Sequence, residues 1–307
     1  MTLQSHVVGR TVRQTSVVAL VVAGLALAGC GGGGDSGDKA AATSSPKTKQ
    51  SVDKALAAQV PAAIKSDGTI KIGTDATYAP NEFLDPNGKK VVGFDVDVFD
   101  AVAQKLGLKT NWTPAPFDAI IPGVDSGKYE IGVSSFTINP ERKQTVNMVS
   151  YFNAGTQWAA KKGNPTKISP DAACGHKVAV QRGTVQVDDI TARSKKCTSS
   201  GKKAIGIDQY QGQDQATASV VSGKDDAMLA DSPVAAYAVK QTSGQLETLG
   251  DIYDSAPYGY VVPKDQTDFA KALSGAVQAV IDDGTYQKIL TKWGVEQGAI
   301  ATSKVNP

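Results

Sequence analysis

The sequence predicts an α/β protein, and three stretches carry that expectation. Residues 69–75 (TIKIGTD) and 177–184 (KVAVQRGT) alternate like strands and end in polar residues. Residues 131–133 end a third apolar run at a turn crowded with hydroxyls, Ser134, Ser135 and Thr137. Amphipathic segments at helical spacing separate these runs, and such alternation argues for a sheet with ligand groups at its strand carboxyl ends. A chain of 307 residues, 41% hydrophobic and 20% charged, is long enough for two lobes.

The elements follow in order. Arg10 and Arg13 precede an apolar run, 17–28, too short to span a bilayer as a stable helix. It ends in Leu27, Ala28, Gly29 and Cys30, which resembles the lipobox of bacterial lipoproteins. That likeness implies a signal peptide over 1–29 and lipidation of Cys30. Residues 31–50 are rich in Gly, Ser, Ala, Lys and Asp and bury too little apolar surface to order themselves. Residues 30–60 are therefore expected to be a flexible, lipid-anchored linker. With Cys30 lipidated, Cys174 and Cys197 remain for a disulfide in an exported setting. The rival pairing of Cys174 with His176 on a metal lacks a second pair of ligands.

In the first lobe, residues 69–75 end at Asp75, followed by the aromatic loop of Tyr78 and a turn at 85–88. Asp95 is expected to cap a helix whose stripe is Val98, Phe99, Val102 and Leu106, with Gly107 ending it. Phe117 opens a short helix that leads into 131–133. Asn139 is a good helix N-cap, with Pro140 at the first helical position, so an anion-attracting helix start is expected beside Arg142. Only three arginines follow residue 30, namely Arg142, Arg182 and Arg193, against many lysines. A guanidinium placed here is suited to grip a carboxylate through two bonds. In the second lobe Thr184 and Val185 begin another helix, and Asp231 precedes one with Pro233 near its start. Crossovers between the lobes are expected near 153–157 and 256–262. A helix over 268–282, with Phe269, Leu273, Val277 and Val280 inward, and Trp293 complete the first lobe.

Several function classes are excluded. Removing Arg10 and Arg13 from 32 basic residues leaves 30, against 30 acidic ones, so beyond the leader the chain is neutral and offers no electrostatic case for nucleic acid. Two histidines, His6 and His176, leave little room for a catalytic triad or a histidine metal site. Neither glycine-rich phosphate-binding motif is present, so no cofactor is expected.

The ordered set of Gly73 to Asp75, Tyr78, Gly93 to Asp97, Phe117 to Pro122, Thr137 and Glu141-Arg142 resembles the polar amino-acid-binding proteins of ABC importers, the family-3 extracellular solute-binding proteins. The likeness runs from about residue 69 to the Tyr286 to Gly294 ending. It implies a two-lobed, type II periplasmic-binding-protein-like fold, each lobe a mixed sheet flanked by helices. The lobe boundaries are expected at 61–153 for the first part of lobe 1, 154–257 for lobe 2 and 258–307 for the return. The resemblance implies that Arg142, the Thr137 backbone and the Thr184 and Val185 amides hold a ligand carboxylate. Asp231, Thr137 and a carbonyl near Ser135 would hold its ammonium. Tyr78 and Phe117 would flank its side chain, while Asp75, Ser134 and Gln181 would read the far end. Arg182 either points inward, to pair with an acidic substrate or to latch Asp75 across the closed cleft, or lies at the surface. A zwitterion entering a desolvated cleft needs both charges met.

The expected protein is a monomeric, non-enzymatic binding lipoprotein at the outer face of the bacterial cytoplasmic membrane. It takes a polar L-amino acid, amide or basic in preference, to an ABC permease. One alternative is a dehydratase-like enzyme acting on a cyclic acid on the same scaffold, for which Asp75 or Glu82 would be the acid–base group with no evident second partner. The other is a sensor domain, which usually continues into a membrane helix.

Overall fold

The computed structural model describes residues 49–307. The leader, Cys30 and the chain up to residue 48 lie outside the described residues. In chain order the elements are α1 (Lys54–Ala58), α2 (Ala62–Asp67), β1 (Thr69–Thr74), β2 (Thr77–Tyr78), β3 (Glu82–Leu84), β4 (Val91–Val92), α3 (Phe94–Lys105), β5 (Lys109–Pro114), α4 (Phe117–Asp125), β6 (Ile131–Gly132), α5 (Arg142–Thr145) and β7 (Val146–Lys161). Then follow β8 (Lys177–Gln181), α6 (Val185–Ser199), β9 (Gly206–Tyr210), α7 (Gln213–Ser222), β10 (Ala227–Asp231), α8 (Ser232–Gln241), β11 (Leu246–Pro263), α9 (Thr267–Asp282) and α10 (Thr285–Trp293).

Two long strands organise the molecule. β7 and β11 run antiparallel over 16 and 18 residues and pair along most of their length. At one end they join β5-β1-β6, with β1 parallel to both its neighbours. At the other end β7 pairs with β10, which leads on to β8 and β9. The expected pair of sheets is therefore one continuous eight-stranded mixed sheet, because the crossovers are themselves paired strands. The β7/β11 register breaks between Leu249 and Tyr253, between Tyr253 and Ala256, and between Tyr258 and Gly259. Those irregularities fall where the chain passes from one half to the other, and bulges bend and twist a paired ribbon.

Each half buries both faces of its sheet. Phe94, Phe99, Val102, Leu273 and Val277 from α3 and α9 pack one face of the first half, and Phe117, Ile120 and Val124 from α4 pack the other. In the second half Ile190 and Cys197 of α6 cover one face, while Ala216, Val220 and Ala235 from α7 and α8 cover the opposite one. Cys174 and Cys197 form a disulfide that ties the end of α6 to the segment before β8.

Three local expectations are corrected. Asp95 does not cap α3. The N-cap is Gly93, at φ 143°, where a Cβ would fall 1.9 Å from the Asn81 carbonyl oxygen. The chain turns inward there, and Asp95 is carried into the interior. The helix expected at Asn139 is the four-residue α5, too short for an N-terminal dipole to matter, although Asn139 Oδ1 does accept the Arg142 N–H at 2.8 Å. Finally, residues 53–60, which the expected boundary at 60 places in the linker, dock on the first half. Asp53 N–H bonds the Lys105 carbonyl at 2.8 Å, Leu56 packs at Gly275 and Val60 is buried. Among the described residues no helix is long and apolar enough to cross a membrane.

Candidate functional site

The strand carboxyl ends of the two halves face each other across one cavity. Tyr78, Phe117, Ser135, Thr137 and Arg142 line it from the first half, and Gln181, Thr184, Val185, Gln186 and Asp231 from the second. Nine of these ten are candidates from the sequence; Gln186 is the addition. Asp75, Ser134 and Arg182 do not line it.

Arg142 is held from three sides. Its Nη1 donates to the Thr137 carbonyl at 2.8 Å and its Nη2 to the Gly183 carbonyl, in the opposite half, at 3.2 Å. The guanidinium lies 5.5 Å from the ring centroids of both Phe117 and Phe136, which are stacked 4.6 Å apart. Burial lowers its pKa to about 10, opposed chiefly by the charge of Asp231, so it stays cationic at neutral pH. The approach of Gly183 needs a glycine: it sits at φ 78°, and a Cβ would meet that of Asp118 at 2.9 Å.

Across the cavity, Thr184 precedes the 15-residue α6 in an extended conformation, and no side chain caps that helix. The Thr184 hydroxyl instead donates to the Gln181 carbonyl at 2.8 Å. The first turn of α6 thus presents N–H groups and the positive end of a long helix to the same space as Arg142. Asp231 supplies the opposite charge. Its Oδ1 accepts from Gln186 Nε2 at 2.8 Å and its Oδ2 from the Tyr258 hydroxyl at 2.7 Å. Its own N–H donates to the Tyr78 hydroxyl at 3.0 Å. Burial raises the Asp231 pKa, while the bonds from Tyr258, Tyr78 and Gln186 and the charge of Arg142 oppose that rise. One enclosed space therefore holds a cation with helix N–H groups and a carboxylate, the complement of a zwitterion.

Asp75 lies behind this cavity. Its Oδ1 accepts from the Thr77 N–H at 3.0 Å and from the Thr77 hydroxyl. Its Oδ2 accepts from the Phe117 N–H at 3.1 Å and from Gln181 Nε2, in the other half, at 3.0 Å. A carboxylate has about four acceptor sites, and all are used. Gln181 thus stands between Asp75 and the cavity. Ser134 is turned away as well, accepting the Asp75 N–H at 2.9 Å and donating to Glu82 at 3.0 Å. Arg182 is exposed. Gln186 and Tyr258, which fix Asp231, escape sequence reasoning; the one local hint is that Gln186 falls in the first turn after Thr184.

Comparison with known proteins fits this geometry. Residues 70–296 match the bacterial extracellular solute-binding proteins, family 3. The arginine-binding protein ArgT of Corynebacterium glutamicum is 37% identical over 252 residues, 82% of this chain and 82% of the relative. An ancestral arginine-binding protein, solved bound to arginine, is 36% identical with a TM-score of 0.68, covering 74% of this chain and 98% of that one. The ancestral amino acid-binding protein AncCDT-1, a precursor of cyclohexadienyl dehydratase, is 35% identical with a TM-score of 0.68, covering 75% and 97%. Family match, two-lobed α/β fold and opposed charges agree: this chain belongs to the bacterial extracellular solute-binding proteins, family 3.

Proposed function

We propose that the protein captures a polar L-amino acid between its halves, a basic one ahead of an amide, with arginine foremost, and delivers it to the permease of an ABC importer. The observation that carries this reading is the meeting of Arg142 and Asp231, from opposite halves, in the lining of one cavity. The ligand carboxylate takes the remaining Arg142 donors and the N–H groups that open α6; the ammonium takes Asp231 and the backbone near Ser135 and Thr137. Tyr78 and Phe117 flank the aliphatic part of the side chain. A distal cation displaces Gln181 and takes its place on Asp75, which is why a basic group ranks above an amide. The arginine-binding relatives support the same order.

Residues 61–153 with 258–307 move as one lobe and 154–257 as the other, about the irregular middle of β7 and β11. The protein acts as a monomer anchored through Cys30, outside the described residues, and Cys30→Ala releases it from the membrane fraction.

A thermal-shift screen against the twenty amino acids tests the ligand, since binding adds RT ln(1 + [L]/Kd), about 4 kcal/mol at a thousandfold excess over Kd. Arginine gives the largest shift, lysine and glutamine smaller ones, glutamate none. No shift with any amino acid refutes the reading. Turnover of a cyclic acid would instead favour the dehydratase-like alternative.

A further inference from the structure

Below the wall of the cavity lies a carboxyl pair that the proposed binding scheme does not use. Glu82 in β3 and Asp95 in α3 are both fully buried. Among the described residues neither takes part in an ion pair. The titratable groups facing them are Asp75, Tyr78, Tyr151, Tyr258, Tyr260 and Tyr286, from three strands, a helix and the turn after β1, and none is a cation. Two adjacent buried carboxylates cannot both remain ionised without a counter-charge.

The hydrogen bonds agree. Ser135 Oγ accepts from Asn81 Nδ2 at 2.8 Å and lies 3.1 Å from Glu82 Oε2 and 3.2 Å from Asp95 Oδ2. A hydroxyl has one proton, so it cannot satisfy both carboxylates fully. Tyr151 donates to the same Asp95 oxygen. Ser135 Oγ thus stands between the two acids, and burial with the Asp95 charge holds the Glu82 pKa well above the usual range. Asp95, relieved by donors from Tyr151, Glu82 and Ser135, rises only to about 6.

The pair grips a residue of the binding cavity. Ser135 lines that cavity and sits at φ 52°, a left-handed conformation costly for a residue with a Cβ. Its N–H donates to Asp95 at 3.1 Å and its hydroxyl lies against both acids. Asn81 links Ser135 onward to Tyr258, at 3.4 Å, and thence to Asp231.

We propose that Glu82 and Asp95 share one proton, act together as positioning residues that hold Ser135 in its left-handed conformation at the ammonium end of the cleft, and lose part of that proton to solvent when a cationic ligand is captured. The inference rests on the binding reading above. As the ligand's positive charge arrives, the pair moves from one negative charge toward two, and the released proton passes to buffer. Binding therefore tightens as pH rises, by up to about tenfold per unit where a whole proton is released. Arginine itself does not titrate between about pH 5.5 and 7.5.

The experiment is calorimetry of L-arginine binding across that range, in phosphate and in imidazole buffer, whose ionisation enthalpies differ. Wild type is expected to give buffer-dependent heats that report a fraction of a proton released. Glu82→Gln and Asp95→Asn are expected to bind arginine more weakly and with heats independent of buffer. Equal heats in both buffers for wild type overturn the proposal. Buffer dependence that persists in both variants also overturns it, since the proton then comes from Asp75 or Asp231. Should neither variant fold, infrared difference spectra of wild type decide: arginine must reduce a protonated-carboxyl C=O band, and an unchanged band overturns the proposal. Absence of arginine binding sinks the ligand reading and this inference together, whereas normal binding with equal heats sinks this inference alone.

Discussion

Replacing Arg142 by alanine is the sharpest test of the cleft. Of the five N–H donors on the guanidinium, two are spent on the Thr137 and Gly183 carbonyls, which leaves three. A hydrogen bond to a charged group contributes about 1.5–3 kcal/mol, and a planar fork makes two such bonds to one carboxylate. Removing one partner of a desolvated pair costs about 2–5 kcal/mol, or roughly 30-fold to several-thousand-fold in Kd. The stack of Phe117 on Phe136 loses its cation on the same change, but the fold has little else invested in Arg142, whose stem is only partly buried. Isothermal titration with arginine should show the loss in affinity, while circular dichroism shows a melting curve close to that of wild type. Arg142→Lys should recover only part of it, because an ammonium lacks the fork. A Kd within threefold of wild type for Arg142→Ala would mean that the carboxylate sits elsewhere, and the assignment of the cavity would fail.

The remaining predictions share that assay or a thermal melt. Asp231→Asn keeps a partner for Gln186 and Tyr258 but removes the charge that meets the ammonium, so arginine binding should weaken by about 2 kcal/mol or more, and calorimetry showing unchanged affinity would refute the role. Cys174→Ser with Cys197→Ser opens a bridge spanning 23 positions and should cost about 3 kcal/mol of stability, read in urea; a loss below about 1 kcal/mol would place the constraint elsewhere. The raised pKa of Asp95 makes a pH prediction. Folding favours its protonated form, so that contribution is complete below about pH 4 and disappears as pH rises through about 6. Asp95→Asn should therefore lose less stability than wild type between pH 4 and 7, by up to about 3 kcal/mol; parallel stability profiles would contradict the shift.

Much of this site was legible because it depends on local rules. Thr184, Asp231 and Arg142 sit where strands give way to helices or turns, and polar residues at such ends are visible in a pattern of alternation. Tyr78 and Phe117 line the cavity as expected, yet each also packs: Tyr78 against Ala230 and Val234 of the opposite half, Phe117 against Phe136. What sequence could not reveal is proximity. Glu82, Asp95, Ser135, Tyr151 and Tyr258 come from segments up to 176 positions apart, and only the fold makes them neighbours. Asp95 misled because capping rules look at adjacent residues, while the approach of Gly93 to Asn81 redirects the chain. Asp75 is acidic and near the cavity, but its acceptors are taken, a fact set by Gln181 more than a hundred residues later. Residues 53–60 misled differently: a polar average hid Leu56 and Val60, and two apolar contacts suffice to dock a short helix.

The contacts between the halves say how a ligand biases closure. Arg142 reaches Gly183, Gln181 reaches Asp75, Gln213 donates its N–H to the Thr77 hydroxyl at 3.1 Å, and Asp231 donates to Tyr78. On opening, each of these is exchanged for water, so each contributes only about 0.5–1.5 kcal/mol net. A solute shifts the balance only through contacts it makes better in the closed form. In the proposed binding scheme a zwitterion does so because its two ends fall on different halves, the carboxylate on Arg142 with α6 and the ammonium on Asp231 with the Ser135 wall. A solute with one charged end engages one half well and leaves the other buried charge unmet, which opposes closure. In that scheme a long basic side chain gives up the Gln181–Asp75 bond but replaces it with a charged one, so the exchange is favourable. An apolar side chain of the same length would have to break that bond or stop short of it. Under the proposed scheme, selection at the far end of the cleft is a competition between the ligand and the protein's own amide for one carboxylate.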